Sequence, residues 1–454
     1  MSEDDEKKNL RGGRTSDHAL NAQPPQGEAE YPPAPVLGTT AVAPAVGADA
    51  VPRIFAALAH RNYRIFFSGQ VVSMIGTWMQ ITALGWLIYE LTNSPLLLGA
   101  ITASGQVPTW LFSLPAGAVA DRVSKRRLLL FTQTVAMVLA FALAALSATP
   151  WIRAWHIAAL SALGGTAFAF GMPAQQAFIA EMVPRSDLMN AIALNSGTFN
   201  LARLLGPAIA GALMAAFGVP LCFLINALTF IAVIVALTLI RVAEPEPTHG
   251  RPPVWREVLS GLRYVAGEAR LLRALFTLGA VSIFTWAYVV LMPVFAKDVL
   301  KGDEVVLGWL MSASGGGALV GSLTVAYLGD YRRKFLLQNV GLAVFTVAVL
   351  VFAWSRSLPI SLGAMAVGGW GAVVFLATLN TVLQMTTSHA MRGRVMALWS
   401  LIFMGTTPIS SVLAGALAQR FGAPVTAMIG AGVGAVLAGL IAVGFARSSR
   451  KAQC

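Results

Sequence analysis

Three groups of residues in this chain stand where their chemistry matters. Arg203 lies near the middle of a long apolar run, 190–216. A guanidinium at bilayer depth costs roughly 2.5–3.5 kcal/mol on insertion scales, so something must compensate it. Sequence offers helix carbonyls, Asn200, the amides of Gln80 and Gln106, or Glu90 as partners. Such an arginine contacts an anionic solute, takes part in ion coupling, or bridges helices structurally. The second group, Gly206-Pro207-Ala208-Ile209-Ala210-Gly211, follows on the same run. Its proline removes a backbone donor and its glycines allow tight helix contact. The third is the ordered stretch Gly117, Asp121, Arg122, Lys125, Arg126 and Arg127 between two apolar runs. There Gly117 permits close helix approach, Asp121 pairs with a cation or a helix N-terminus, and the basic residues face an anionic leaflet.

Enzyme signatures are missing from the sequence. There is no His-Glu-x-x-His, no Gly-x-Ser-x-Gly and no ATP-binding loop, and His60, His156 and His389 stand isolated. Gly315, Gly316, Gly317 and Gly321 read as a small-residue packing seam. Cys222 and Cys454 form neither a disulfide framework nor a metal-ligand spacing. No catalytic residue, cofactor or metal is expected. The formal charge of +12 falls in short clusters and not on one basic face, so nucleic acid is not an expected partner.

These residues must be positioned by membrane-spanning helices. The chain has 454 residues, of which 56% are apolar and 11% charged, and a mean hydropathy of +0.70, far greasier than soluble proteins. Runs of about 20 apolar residues, each enough to cross the hydrocarbon layer, predict twelve spans. The first six are Ile65–Ile88, Leu96–Ala120, Leu128–Ala148, Trp155–Ile179, Asn190–Ala216 and Val219–Ile240. The second six are Leu272–Ala296, Val305–Leu328, Phe335–Trp354, Pro359–Met385, Val395–Ala418 and Ala423–Phe445.

Positive residues orient them. With the N-terminus inside, the outer loops hold only Arg153, Lys297, Lys301, Arg356 and Arg420, and every other Lys and Arg except Arg203 lies inside. Both termini are therefore expected in the cytoplasm. An ungapped offset of 204 residues then superposes the fifth and eleventh runs: Ala193, Leu194, Ser196 and Phe199 meet Ala397, Leu398, Ser400 and Phe403. In the same frame Gly211, Phe217, Gly218 and Pro220 meet Gly415, Phe421, Gly422 and Pro424, and Gly164 and Gly165 meet Gly368 and Gly369. This predicts duplicated halves of like orientation. The expected organisation is a disordered cytoplasmic tail over 1–54, a first six-helix half over 55–241 and a linker over 242–270 carrying an amphipathic surface helix. A second six-helix half over 271–446 and a short tail over 447–454 complete it.

The stretch from Gly117 to Arg127 resembles the signature loop of the major facilitator superfamily, Gly-x-x-x-Asp-Arg-x-Gly-Arg-Arg, with Ser124 where the second glycine usually stands. Arg61-Asn62-Tyr63-Arg64, Gly76-Thr77-Trp78-Met79-Gln80, Pro173-Ala174-Gln175-Gln176, Arg203-Leu204-Leu205-Gly206-Pro207 and Arg392-Gly393-Arg394 are similar to the bacterial enterobactin exporter and macrolide efflux branch. The resemblance implies an all-α multi-pass transporter of the bacterial cytoplasmic membrane, exporting a drug, macrolide or siderophore-like solute by alternating access with proton antiport. An uptake symporter for a small metabolite is the alternative. It also implies that Asp121 and its basic neighbours form a cytoplasmic latch against the eleventh helix, and that the Gly206-Pro207 helix resembles the antiporter motif. Helices bordering the cavity would offer Trp78, Gln80, Trp286, Tyr288 and Asn380, with Gln106 beside them, although such side chains also pack against neighbours or lipid. The expected partners are a small-molecule substrate, protons and membrane lipid; the chain is plausible as a monomer.

Overall fold

The computed structural model describes residues 55–241, 254–328 and 333–451. The expected tail over 1–54, most of the linker before Val254, and Asp330, Tyr331 and Arg332 lie outside these residues. Every regular element among the described residues is helical. The first long helices are α1 (Arg61–Thr92), α2 (Pro95–Arg122), α3 (Lys125–Ser147), α4 (Ala154–Met182), α5 (Leu188–Phe217) and α6 (Val219–Leu239). After α7 (Val254–Gly267) come α8 (Ala269–Ile283), the short α9 (Met292–Val294), α10 (Glu304–Tyr327), α11 (Lys334–Trp354), α12 (Leu358–Thr386), α13 (Arg392–Phe421) and α14 (Ala423–Lys451).

Local chemistry sets the boundaries. Asn93 closes α1 in the left-handed region, at φ 45°, which asparagine tolerates well. Ser94 then caps α2 by accepting from the Leu97 amide at 3.3 Å, and Pro95 occupies the first helical position, where no amide is needed. Asp303 caps α10 through the amides of Val305 and Val306, at 3.1 and 3.2 Å. Ser124 caps α3 by accepting from the Arg127 amide at 3.3 Å, with φ −55°. The serine that departs from the signature loop therefore sits in a turn that needs no glycine, and supplies a cap that glycine lacks.

Among the described residues, eleven helical segments are long and apolar enough to cross a membrane. The segment of the expected set that falls short is α2, where Gln106, Thr109, Ser113 and two prolines dilute the apolar character of an otherwise full-length helix of 28 residues. The seventh expected run, Leu272–Ala296, is interrupted: α8 gives way to a 3₁₀ turn over Thr285–Val289, then α9, then a π turn over Phe295–Val299. Pro293 removes a donor there and bulky side chains pack the irregular stretch on all sides, with Leu291, Met292, Val294, Phe295 and Ala296 all buried. The surface helix expected over Val254–Leu272 ends earlier, because Glu268 takes an extended conformation and restarts the chain as α8. Gly261 of α7 lies against the backbone of Arg394, the Ser388 amide donates to the Tyr264 hydroxyl at 3.3 Å, and Val265 is buried.

Packing repeats along the chain. In the first set α2 packs on α4, α3 on α4 and α6, and α1 on α5 and α6. In the second set α10 packs on α12, α11 on α12 and α14, and α8 on α13 and α14, the same scheme displaced by one set. Contact between the sets runs chiefly through α5 with α10 and α2 with α13. The sequence repeat Phe-Gly-x-Pro has a backbone cause: Gly218 and Gly422 end α5 and α13 at φ 81° and 82° with extended ψ, a region open essentially to glycine alone. Gly422→Ala is expected to destabilise the protein by about 1–3 kcal/mol. A thermal melt in detergent checks this, and an unchanged midpoint would refute the strained corner.

Candidate functional site

Arg203 projects from the middle of α5 into a cluster built by both helix sets. Its Nη2 donates to the Ser314 hydroxyl of α10 at 3.3 Å, and its guanidinium carbon lies 6.0 Å from the centroid of the Trp78 ring on α1. Phe199, one helical turn before it, meets Trp78 edge-on at 5.5 Å. Tyr288, from the 3₁₀ turn of the interrupted segment, faces both Arg203 and Ser314. The guanidinium is surrounded by protein, yet part of the side chain stays accessible. None of the partners offered by the sequence is used. The Gln80 amide accepts from Asn226 of α6 at 2.7 Å, the Asn200 amide donates to its own helix at Ser196, and Gln106 accepts from Ser411 of α13 at 3.0 Å. Glu90 is exposed at the far end of α1. The amides are spent on helix packing, and the Trp78 face with the Ser314 and Tyr288 hydroxyls meets the cation instead.

The other cavity candidates divide. Trp286 packs against Phe345 of α11 and Phe403 of α13 at 5.6 and 5.9 Å, and Tyr288 against Phe345 and Phe352 at 6.0 and 6.3 Å, forming an aromatic wall behind Arg203. Gln80 is turned to α6 and so is not in this cluster. Asn380 is buried on α12, where its carbonyl accepts from Gln384 at 2.6 Å while its Nδ2 is buried without a partner. Ser314, the residue that touches Arg203, carried no signal: it is one of three serines in a glycine-rich helix.

The Gly206-Pro207 segment forms the seam between the sets. Gly206 packs within its own set, where a Cβ would lie 2.5 Å from Trp78 Cβ of α1; across the sets, one at Gly211 would lie 2.8 Å from the Glu304 carbonyl and one at Gly308 would lie 2.6 Å from the Pro207 carbonyl. The same arrangement recurs between α13 and α2, where a Cβ at Gly415 would lie 2.5 Å from the Pro95 carbonyl and 3.2 Å from Gly99 Cα. Backbone thus lies on backbone at the end bearing the Gly218 and Gly422 corners. Toward the other, basic end of α2, α5 and α13, Gly117, Gly197 and Gly393 meet nothing within 4 Å. Gly117 therefore makes no close helix contact in this conformation, contrary to the sequence expectation.

The basic residues after Asp121 engage their own helix set. Lys125 pairs with Glu181 of α4 at 2.7 Å, and Arg126 donates from Nε and Nη2 to the Leu237 and Thr238 carbonyls that end α6, at 2.7 and 2.8 Å. A guanidinium on those terminal carbonyls satisfies acceptors left open by the helix end and complements its negative pole.

Solved structures share this architecture. A bacterial homolog of the human lysosomal transporter Spinster, in an inward-facing and occupied conformation, aligns with a TM-score of 0.68 at 13% identity, covering 85% of this chain and 96% of that one. The nucleoside transporter NupG aligns with a TM-score of 0.66 at 15% identity, covering 85% and 99%. The fold is that of the major facilitator transporters. The profile of the transmembrane secretion effector family matches residues 53–453, and the chain belongs to that family of the major facilitator superfamily. It is 26% identical to the multidrug efflux pump Tap of Mycolicibacterium fortuitum over 378 residues, covering 81% of this chain and 91% of that protein. It is 27% identical to the enterobactin exporter EntS of Shigella boydii over 391 residues, covering 84% and 91%, and 25% identical to the staphyloferrin A transporter of Staphylococcus aureus over 366 residues, covering 79% and 90%. The family and these relatives are transporters and not enzymes, and the chain is a multi-pass membrane protein.

Proposed function

We propose that the chain is a secondary exporter of the bacterial cytoplasmic membrane, moving a drug, macrolide or siderophore-like solute outward by alternating access coupled to proton antiport. It crosses the bilayer twelve times, with α2 as the span of lowest hydropathy, as two six-helix halves joined by a linker that carries α7; both termini are cytoplasmic. The observation that carries the reading is the seam. The two helix sets share the Arg203 cluster and meet backbone to backbone at one end, a geometry that lets rigid halves rock about a central site. With the basic end taken as cytoplasmic, the seam is tight on the outer side, as in a state open to the cytoplasm. In that state Lys125 and Arg126 hold α4 and α6 of their own set, and the latch residues Asp121, Arg122, Lys125, Arg126 and Arg127 would engage the eleventh span, α13, when the cytoplasmic end closes. Relatives that export drugs and siderophores support outward transport.

Accumulation of candidate drugs and siderophores in cells lacking and carrying the protein tests export, and collapsing the proton gradient tests coupling. Export that persists unchanged without the gradient rules out antiport. Asp121→Asn is expected to abolish export while membrane insertion, followed by protease accessibility, stays intact; normal export by this variant would remove the latch.

A further inference from the structure

We propose that the transported solute is an organic anion: Arg203 holds its carboxylate-type head, and its aromatic or apolar body lies against Trp78. This rests on the export reading and names the solute class for it. The basis is unused hydrogen-bonding capacity. A guanidinium carries five N–H donors. Among the described residues that of Arg203 makes one hydrogen bond, to Ser314 at 3.3 Å, and it takes part in neither the His60–Asp187 nor the Lys125–Glu181 ion pair. Arg203 is only partly buried as a residue, so a solute can reach its side chain.

Physical chemistry then selects the occupant. An uncompensated cation in a low-dielectric cleft attracts an anion far more strongly than it would in water, and repels a cationic drug by the same factor. The contact with the Trp78 face offsets only part of the desolvation. A planar fork prefers an acceptor with two coplanar oxygens over a single point acceptor. Trp78, partly accessible and held edge-on by Phe199, provides a flat apolar wall beside that fork. Position adds coupling. Arg203 belongs to the first helix set, Ser314 and Tyr288 to the second, and α5 and α10 touch here through backbone, since a Cβ at Gly315 would lie 2.5 Å from the Arg203 carbonyl. An anion bound across this junction contacts both sets and favours the arrangement that holds them around it.

The test uses the full chain in lipid nanodiscs and two probes of one shape, naphthalene-2-carboxylate and naphthalene-2-carboxamide, with binding measured by calorimetry. The carboxylate is expected to bind roughly 10- to 100-fold more tightly than the amide. Arg203→Gln should erase that preference, and Arg203→Lys, which keeps the charge without the fork, should retain only part of it. Equal affinities in the natural protein, no measurable binding of the carboxylate, or a preference undiminished in both variants would each overturn the proposal. Everted membrane vesicles with a panel of anionic, neutral and cationic drugs separate the two readings. Transport of cations or neutral drugs alone leaves export standing and removes the anion assignment; transport of no member removes the export reading instead.

Discussion

Arg203→Ala is expected to lower transport of the native solute at least about 100-fold, while the protein still inserts and melts at an unchanged or higher temperature. The two expectations have separate physical origins. A charge-assisted hydrogen bond contributes about 1.5–3 kcal/mol and each 1.4 kcal/mol is tenfold, so losing a two-pronged contact accounts for the drop. Folding moves the other way, since removing a guanidinium from mid-span relieves an insertion cost of roughly 2.5–3.5 kcal/mol. In this structure the residue gives back only one hydrogen bond at 3.3 Å and the Trp78 contact. A purely structural arginine predicts the reverse pattern: a lower melting temperature with proportionate loss of activity. Initial rates in vesicles, normalised to inserted protein, and a detergent melt distinguish the two. Full transport by the alanine variant would dismiss the site.

The second large effect is expected at the glycine seam. Gly308→Val places a Cβ 2.6 Å from the Pro207 carbonyl and 3.2 Å from Gly211 Cα, and Gly415→Val places one 2.5 Å from the Pro95 carbonyl. Both neighbours are backbone on long helices, which cannot swing aside as a flexible side chain does, so the helices must separate. Each substitution alone is expected to abolish transport by holding the corner end of the cleft apart. Paired spin labels at Leu91 and Lys301, both exposed near that end of the two helix sets, should report a longer distance in either variant. An unchanged distance with normal transport would mean that the seam is incidental packing. The equivalence of the two sites, 204 residues apart at Gly211 and Gly415, further predicts that Gly211→Val matches Gly415→Val in effect.

Much of this architecture was legible without coordinates. Apolar runs and the distribution of Lys and Arg depend on the bilayer, which acts as a solvent on each segment separately, so α1, α3 to α6 and α11 to α14 fall where hydropathy places them. Repeats were legible for a similar reason. Gly218 and Gly422 are demanded by a local φ, and Gly211 and Gly415 by close approach, and both demands act on residue type. Arg203 stood out because a charge in an apolar run is costly wherever the helix turns.

The interrupted segment was not legible, because Leu272–Ala296 is as apolar as an ordinary span and its irregular backbone is held by side chains from other helices. Nor were the partners of the polar residues. Gln80 and Gln106 were equal candidates for Arg203 until the rotation of α1 and α2 gave one amide to Asn226 and the other to Ser411. Composition and spacing by themselves determined that this chain spans a membrane, carries a duplicated plan and holds a cation at depth. Tertiary structure alone decided that the cation meets Ser314, Trp78 and Tyr288 at a seam closed at one end, since helix rotation and docking arise from packing between segments far apart in the chain.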